Sequence, residues 1–122
     1  MRELAQGWHD EPDTLPLIKQ SAQSDHNRLV RSTAISELAK GWHDRPETFE
    51  LLASCAVKDP FMRNESEYAG YGTNPRETAL EGIVQYFLNH PQTKELLSDR
   101  ANNDLDEQVR KFAQKALDNL SE

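Results

Sequence analysis

Apolar residues recur along most of this chain at the three- and four-residue spacing of amphipathic helices. In the first clear case, Leu15, Ile18 and Ala22 fall on one helical face. Gly, Pro and Asp clusters interrupt the pattern at intervals and mark turns. We therefore predict an all-α chain with helices over residues 12–23, 30–40, 46–57, 75–88, from 91 onward and over 105–120.

Two stretches of the chain carry nearly the same text. Glu3 to Asp25 reads ELAQGWHDEPDTLPLIKQSAQSD, and Glu37 to Asp59 reads ELAKGWHDRPETFELLASCAVKD. About a dozen of the twenty-three aligned positions are identical at a spacing of 34 residues, a period typical of stacked helical pairs. A third copy begins at Pro91, where Pro-x-Thr-x-Glu-Leu-Leu matches Pro46 onward at a shift of 45 residues.

The repeat divides one domain, residues 1–122, into three helical pairs plus a leading helix. The predicted units span 12–40, 46–88 and 91–120, and residues 1–6 match the end of a helix, as the remnant of a preceding one. The second unit contains about eleven extra residues, a predicted loop near 60–74. Asn74 can cap the following helix, with Pro75 at its first position.

Composition and charge exclude several classes of partner. The 122 residues carry a formal net charge of −7, which disfavours nucleic acid and anionic membrane surfaces because both repel an acidic protein. Cys55, the single cysteine, cannot form an internal disulfide. With no apolar segment of about 20 residues and no signal peptide, we predict a cytoplasmic protein.

The repeated unit follows the pattern Pro-(Asp/Glu)-Thr-x-x-Leu-Leu, then Asp, then Val-Arg-x-x-Ala-Ile-x-x-Leu, although individual copies depart from it. This pattern resembles the HEAT repeat, in the short form also seen in phycobilisome-lyase-like HEAT arrays. The resemblance implies a right-handed α-α superhelix, an armadillo-like solenoid. It also implies a ladder of hydrogen bonds along the stack from an acid and an arginine in each unit, here Asp25 with Arg31, Asp59 with Arg76, and Asp104 with Arg110.

The longer phrase around Gly-Trp-x-Asp-x-Pro is similar to tandem repeats that lie C-terminal to bacterial NACHT-type signalling NTPases. That resemblance implies a fragment or C-terminal region of a larger signalling protein, with further HEAT repeats or an NTPase domain upstream. The third unit departs from it, with Tyr86-Phe87-Leu88-Asn89 in place of Gly-Trp-His-Asp.

The repeated Gly-Trp-His-Asp loops, at Gly7 and at Gly41, suggest two kinds of site. Histidine–acid dipeptides bind iron in HEAT-type hydroxylases, but repeats stack about 10 Å apart, too far for both loops to share an ion. We therefore predict no metal site and no cofactor. Trp8 and Trp42 could anchor a partner, although a tryptophan at a fixed repeat position more often packs between units.

The second helices of the pairs are predicted to line the concave face. Glu77 and Glu81 lie one turn apart there, as paired catalytic carboxylates might, but a solvated face with Glu77 near Lys111 and Glu81 near Lys115 explains them better. No nucleophile, base and orienting residue occur together, so we predict no enzyme. The outward positions, our candidate binding residues on this face, are Ser32, Ser36, Glu77, Glu81, Lys111 and Lys115.

The inserted loop holds the other candidates, Phe61, Met62, Tyr68 and Tyr71. Long loops on a rigid scaffold often carry recognition, but these aromatics could instead fold over the stack as a local cover. Overall we predict a non-catalytic scaffold that binds an unidentified protein. The alternatives are a phycobilin lyase-type enzyme and a HEAT-like base-excision enzyme, which requires a basic concave face.

Overall fold

The computed structural model describes residues 14–62 and 73–120, and within these ranges every regular element is an α-helix. No helix in this part of the chain is long and apolar enough to cross a membrane. The leading helix predicted over 1–6, and the first Gly-Trp-His-Asp loop, lie outside the described residues. The six helices are α1 (Thr14–Ser24), α2 (Arg28–Trp42), α3 (Pro46–Lys58), α4 (Pro75–Tyr86), α5 (Thr93–Asn103) and α6 (Glu107–Leu120).

The helices pack in consecutive pairs, as the repeat predicts. Helix α1 packs on α2, α3 on α4, and α5 on α6. The second helices of the pairs also pack in succession, with α2 against α4 and α4 against α6, and α3 contacts α5. The pairs thus stand side by side in two layers, with the apolar faces between them.

A threonine fixes the link between successive pairs. The Thr48 hydroxyl donates a 2.7 Å hydrogen bond to the Trp42 carbonyl oxygen at the end of α2. Thr93 makes the same contact, 2.6 Å, to the Phe87 carbonyl oxygen after α4. Because the last carbonyls of a helix have no partner within it, this side chain satisfies one of them. The bond gives a physical reason for the threonine of the repeated Pro-x-Thr.

The sequence located the helices but misplaced several of their ends. We predicted a loop from Gly41 to Arg45, whereas α2 continues to Trp42, whose side chain is completely buried. This burial agrees with the packing interpretation of the tryptophan. Helix α6 begins at Glu107, two residues later than predicted, since Asp106 accepts a hydrogen bond from the Gln108 N–H at the helix start. The Asn74 cap and Pro75 are as predicted, with Asn74 accepting from the Arg76 N–H.

The core is continuous from α1 to α6. Of the three residues predicted to share the first helical face, Ile18 and Ala22 are completely buried, and Leu15 is partly buried against the core. Val84, Leu117 and Leu120 are also partly buried against it. The other completely buried core residues are Ala34, Ile35, Leu38, Trp42, Leu52, Ala56, Ala79, Leu80, Ile83, Leu97, Val109 and Ala113.

Helices α2 and α4 are in tight contact at Gly82. A Cβ atom added there would lie 2.7 Å from the Cβ of Ala39. We expect Gly82→Ala to lower the free energy of unfolding by about 1–2 kcal/mol, because the overpacking exceeds the roughly 1 kcal/mol that alanine gains in helix propensity. Urea denaturation measures the change.

The exchanged pair, Gly82→Ala with Ala39→Gly, is the matched control. It retains one methyl group at the contact and should restore most of the loss. A gain in stability for Gly82→Ala alone would contradict the close approach of the two helices.

Candidate functional site

Buried arginines join each helical pair to the next along one edge of the array. In the first contact, Arg31 Nε and Nη2 donate to Asp59 Oδ2 at 2.8 Å and Oδ1 at 3.2 Å. Both side chains are less than a tenth exposed. The planar guanidinium matches the two carboxylate oxygens, so the contact fixes orientation as well as distance.

The second contact repeats this geometry. Arg76 Nε and Nη2 donate to Asp104 Oδ2 at 2.9 Å and Oδ1 at 3.1 Å. Its third nitrogen, Nη1, donates to the carbonyl oxygens of Asp59 at 2.8 Å and Phe61 at 2.9 Å. Arg100 also reaches Asp104, at 3.2 Å. We call Arg31, Arg76 and Arg110, with Asp25, Asp59 and Asp104, the ladder.

The ladder residues meet differently from the pairing we predicted. Within a unit, the arginine contacts only the backbone of the aspartate, as Arg31 does at the Asp25 carbonyl oxygen, 2.8 Å away. The carboxylate that it binds belongs to the following unit, 28 residues later in both cases. The insertion leaves this spacing unchanged because it lies between Asp59 and Arg76, inside a unit. That constant spacing was the sequence signal for the true pairing.

Each ladder carboxylate also orders its own turn. In each turn the aspartate Oδ1 accepts a hydrogen bond from the backbone N–H two residues later. Asp25 accepts from the Asn27 N–H at 2.8 Å, and Asp59 accepts from the Phe61 N–H at 3.0 Å. Asp104 does the same for the Asp106 N–H at 2.8 Å. We call residues 25–29, 59–62 and 104–107 the turn edge. Sequence analysis missed the caps Asn27 and Asp106 there, although Asp-x-(Asn/Asp) is visible in both turns.

The inserted loop is anchored to the turn edge on both sides. At its start, Arg76 holds the backbone of Asp59 and Phe61. At its end, Asn74 Nδ2 donates to Asp106 Oδ2 at 2.8 Å. The two residues that hold the ends of the insertion, Arg76 and Asn74, also contact the third unit, at Asp104 and Asp106.

The four predicted loop residues have different outcomes. Phe61 is buried, and the Arg28 guanidinium lies 5.7 Å from its ring centroid. Met62 is 70% exposed. Tyr68 and Tyr71 lie outside the described residues. Of the two described candidates, Phe61 is therefore buried and Met62 is exposed to solvent.

A groove of about 330 Å³ lies beside this segment, between residues 61–62 and the start of α6. Leu105, on its rim, is 77% exposed. Met62 and Leu105 are the two most exposed large apolar side chains in the described part of the chain. Charged groups, among them Arg110 and Glu107, complete the lining. An apolar pair framed by charges on a fixed backbone is typical of a recognition surface.

The predicted concave face is only partly open. Ser32 was expected to point outward but is buried, because α2 packs against α1, α3 and α4 and keeps a narrower solvent strip than the repeat pattern indicated. Ser36 and Glu81 line a groove of about 260 Å³ between α2 and α4, and burial raises the pKa of the Glu81 carboxyl. Lys111 forms an ion pair of 3.3 Å with Glu107 on its own helix. Lys115 is exposed and Glu77 is half-buried.

The other reactive side chains have structural surroundings. Burial, together with the nearby Asp59 charge, raises the pKa of the Cys55 thiol to about 11, so the thiol is protonated at neutral pH. His43 stacks on Tyr86 with ring centroids 4.6 Å apart. Across residues 14–62 and 73–120, no group of three or more His, Cys, Asp or Glu residues has the arrangement to hold a metal ion.

Comparison of this chain with protein families, with curated proteins and with solved structures found no match. The described residues form two candidate contact surfaces: the turn edge with Met62 and Leu105, and the α2–α4 groove with Ser36 and Glu81.

Proposed function

We propose that this chain is a non-catalytic protein-interaction scaffold, and that the turn edge is its main contact surface. The observation that carries the proposal is the exposure of Met62 and Leu105 on either side of a groove whose backbone is fixed by the ladder. Because the backbone that carries these apolar side chains is already held in place, association with a partner does not have to order it.

The same contacts support a curved, solenoid-like arrangement of the HEAT or armadillo type. Equivalent arginine–aspartate contacts between consecutive pairs favour a similar rotation from each pair to the next, and a repeated rotation generates a superhelix. On this proposal the handedness is right-handed, and the α2–α4 groove on the second helices provides a second, more polar contact surface.

The test is quantitative capture of proteins from the source organism's lysate on the immobilised 122-residue chain. The edge variant combines Met62→Asp with Leu105→Asp. Its matched control combines Leu17→Asp with Leu88→Asp, which introduces the same charge at two exposed leucines outside the turn edge. A third variant, Glu81→Arg, changes the α2–α4 groove.

We expect at least one protein to be captured in equal amounts by the wild-type chain and by the leucine control. The edge variant should capture at least about tenfold less of it, because burying a charge in an apolar contact is costly. If Glu81→Arg abolishes capture of the protein and the edge variant does not, the contact surface is the α2–α4 groove and not the turn edge. Failure of the wild-type chain to retain any protein above an unrelated immobilised protein would contradict the scaffold function.

A further inference from the structure

The second helices of the pairs form two equivalent grooves, one between α2 and α4 and one between α4 and α6. Their volumes are about 260 Å³ and about 330 Å³, and both lie between two units of the described array. The five α4 residues that line the first groove precede the five α6 residues that line the second by 34 positions, the period of the repeat. The corresponding pairs include Thr78 and Phe112, Glu81 and Lys115, and Tyr86 and Leu120.

The α2–α4 groove is polar and contains a carboxylate. Its lining includes Ser36, Gln85 and Glu81. Burial raises the pKa of the Glu81 carboxyl, because protein replaces part of the water that would stabilise the charge. Among the described residues no basic side chain forms an ion pair with Glu81, and this includes Lys40 on the opposite wall of the groove. A cation supplied by a partner would stabilise the ionised carboxylate.

The α4–α6 groove has the opposite character. Most of its lining is apolar and includes Val84, Leu88 and Phe112, of which Leu88 is 44% exposed. At the position of the Glu81 carboxylate this groove has the ammonium group of Lys115. The groove therefore favours an apolar side chain and repels a cation.

We propose that the two grooves together bind one segment of a partner protein, with a lysine or arginine beside Glu81 and a large apolar side chain in the α4–α6 groove. The occupant follows from complementarity, because Glu81 attracts a cation and Lys115 directs it away from the second groove. Packed helices lie about 8–10 Å apart, a distance that about three residues of an extended chain or two turns of a helix cover. The inference rests on the scaffold function proposed above and defines the ligand of its second surface.

Selection from phage-displayed random peptides of about twelve residues, long enough to span both grooves, tests the proposal on the immobilised 122-residue chain. We expect the wild-type chain to enrich peptides that combine Lys or Arg with a large apolar residue at a fixed separation. Selection on Glu81→Lys should enrich Asp or Glu in place of the basic residue, because the charge in the groove is reversed. Selection on Leu88→Asp should lose the preference for the apolar residue.

Glu50→Lys and Leu17→Asp are the matched controls, because they make the same changes at exposed positions outside both grooves. Both should enrich the same peptides as the wild-type chain, and circular dichroism confirms that every variant is folded. A synthetic peptide of the enriched class should bind Glu81→Lys at least about tenfold more weakly than it binds the wild-type chain or Glu50→Lys, since like charges then meet in the groove.

The edge variant, Met62→Asp with Leu105→Asp, should bind this peptide as the wild-type chain does, because neither residue lines the two grooves. Failure to enrich any peptide would overturn the inference. So would peptides whose binding is changed by neither Glu81→Lys nor Leu88→Asp. Capture of a lysate protein through the turn edge would survive either result, so the failure of this inference is distinguishable from the failure of the scaffold function.

Discussion

Replacing Arg76 by alanine is expected to lower the free energy of unfolding by about 3–5 kcal/mol, because it leaves buried acceptors without their charged donor. The guanidinium serves four of them: both oxygens of Asp104, and the carbonyls of Asp59 and Phe61. Arg100 remains 3.2 Å from Asp104 and retains part of its stabilisation. The two carbonyls have no such substitute in the described contacts. Since the whole domain is stable by only about 5–15 kcal/mol, a large share of its stability depends on this side chain.

Urea denaturation followed by far-UV circular dichroism measures the effect. The matched control is Arg110→Ala, since within the described residues this ladder arginine bonds to the Asp104 carbonyl and to no carboxylate; its loss should cost under about 1 kcal/mol. Arg76→Lys should recover only part of the loss, because one ammonium group cannot reach four acceptors. Equal effects of Arg76→Ala and Arg110→Ala would show that the buried carboxylate contact does not stabilise the array.

A double-mutant cycle with Asp104→Ala separates the two parts of the Arg76 contribution. A large coupling energy between Arg76 and Asp104 would assign the stabilisation to the ion pair. A small coupling energy would assign the stabilisation to the hydrogen bonds with the Asp59 and Phe61 carbonyls, which hold the start of the insertion.

The repeat made the fold predictable but not the partners of the ladder. The period of 34 residues and the apolar spacing identified the helical pairs, since both are properties of the chain itself. Which carboxylate Arg31 meets depends on how one unit sits on the next. We paired Arg31 with Asp25, whereas the structure pairs it with Asp59; the constant separation of 28 residues was the signal for the correct partner.

The exposure of the candidate contact residues also could not be predicted from the sequence. Met62 and Phe61 are neighbours in one inserted loop, yet one is exposed and the other buried, because the Asp59 carboxylate accepts the Phe61 N–H and turns the chain there. Leu105 was predicted at the start of a helix and not as a contact residue. Its exposure follows from the Asp106 cap, which places it in the turn before α6.

The second large effect is expected at Trp42, the largest completely buried side chain in the described part of the chain. Trp42→Ala should lower the free energy of unfolding by about 3–5 kcal/mol, through lost apolar burial and the cavity that remains. Its backbone carbonyl continues to accept from Thr48, so the connection between α2 and α3 keeps its hydrogen bond. The loss therefore reports the contribution of the Trp42 side chain and not that of its backbone carbonyl.

Trp42→Phe is the matched variant, because the aligned position of the next unit is occupied by Phe87. It should cost clearly less than alanine, since most of the apolar contact is retained. Trp8→Phe as a common background leaves Trp42 as the single tryptophan of the chain. Its fluorescence should then shift to longer wavelength at the same urea concentration at which the circular dichroism signal is lost. A loss below about 1 kcal/mol for Trp42→Ala, or a fluorescence transition well before the helices unfold, would contradict the burial of this side chain in the common core.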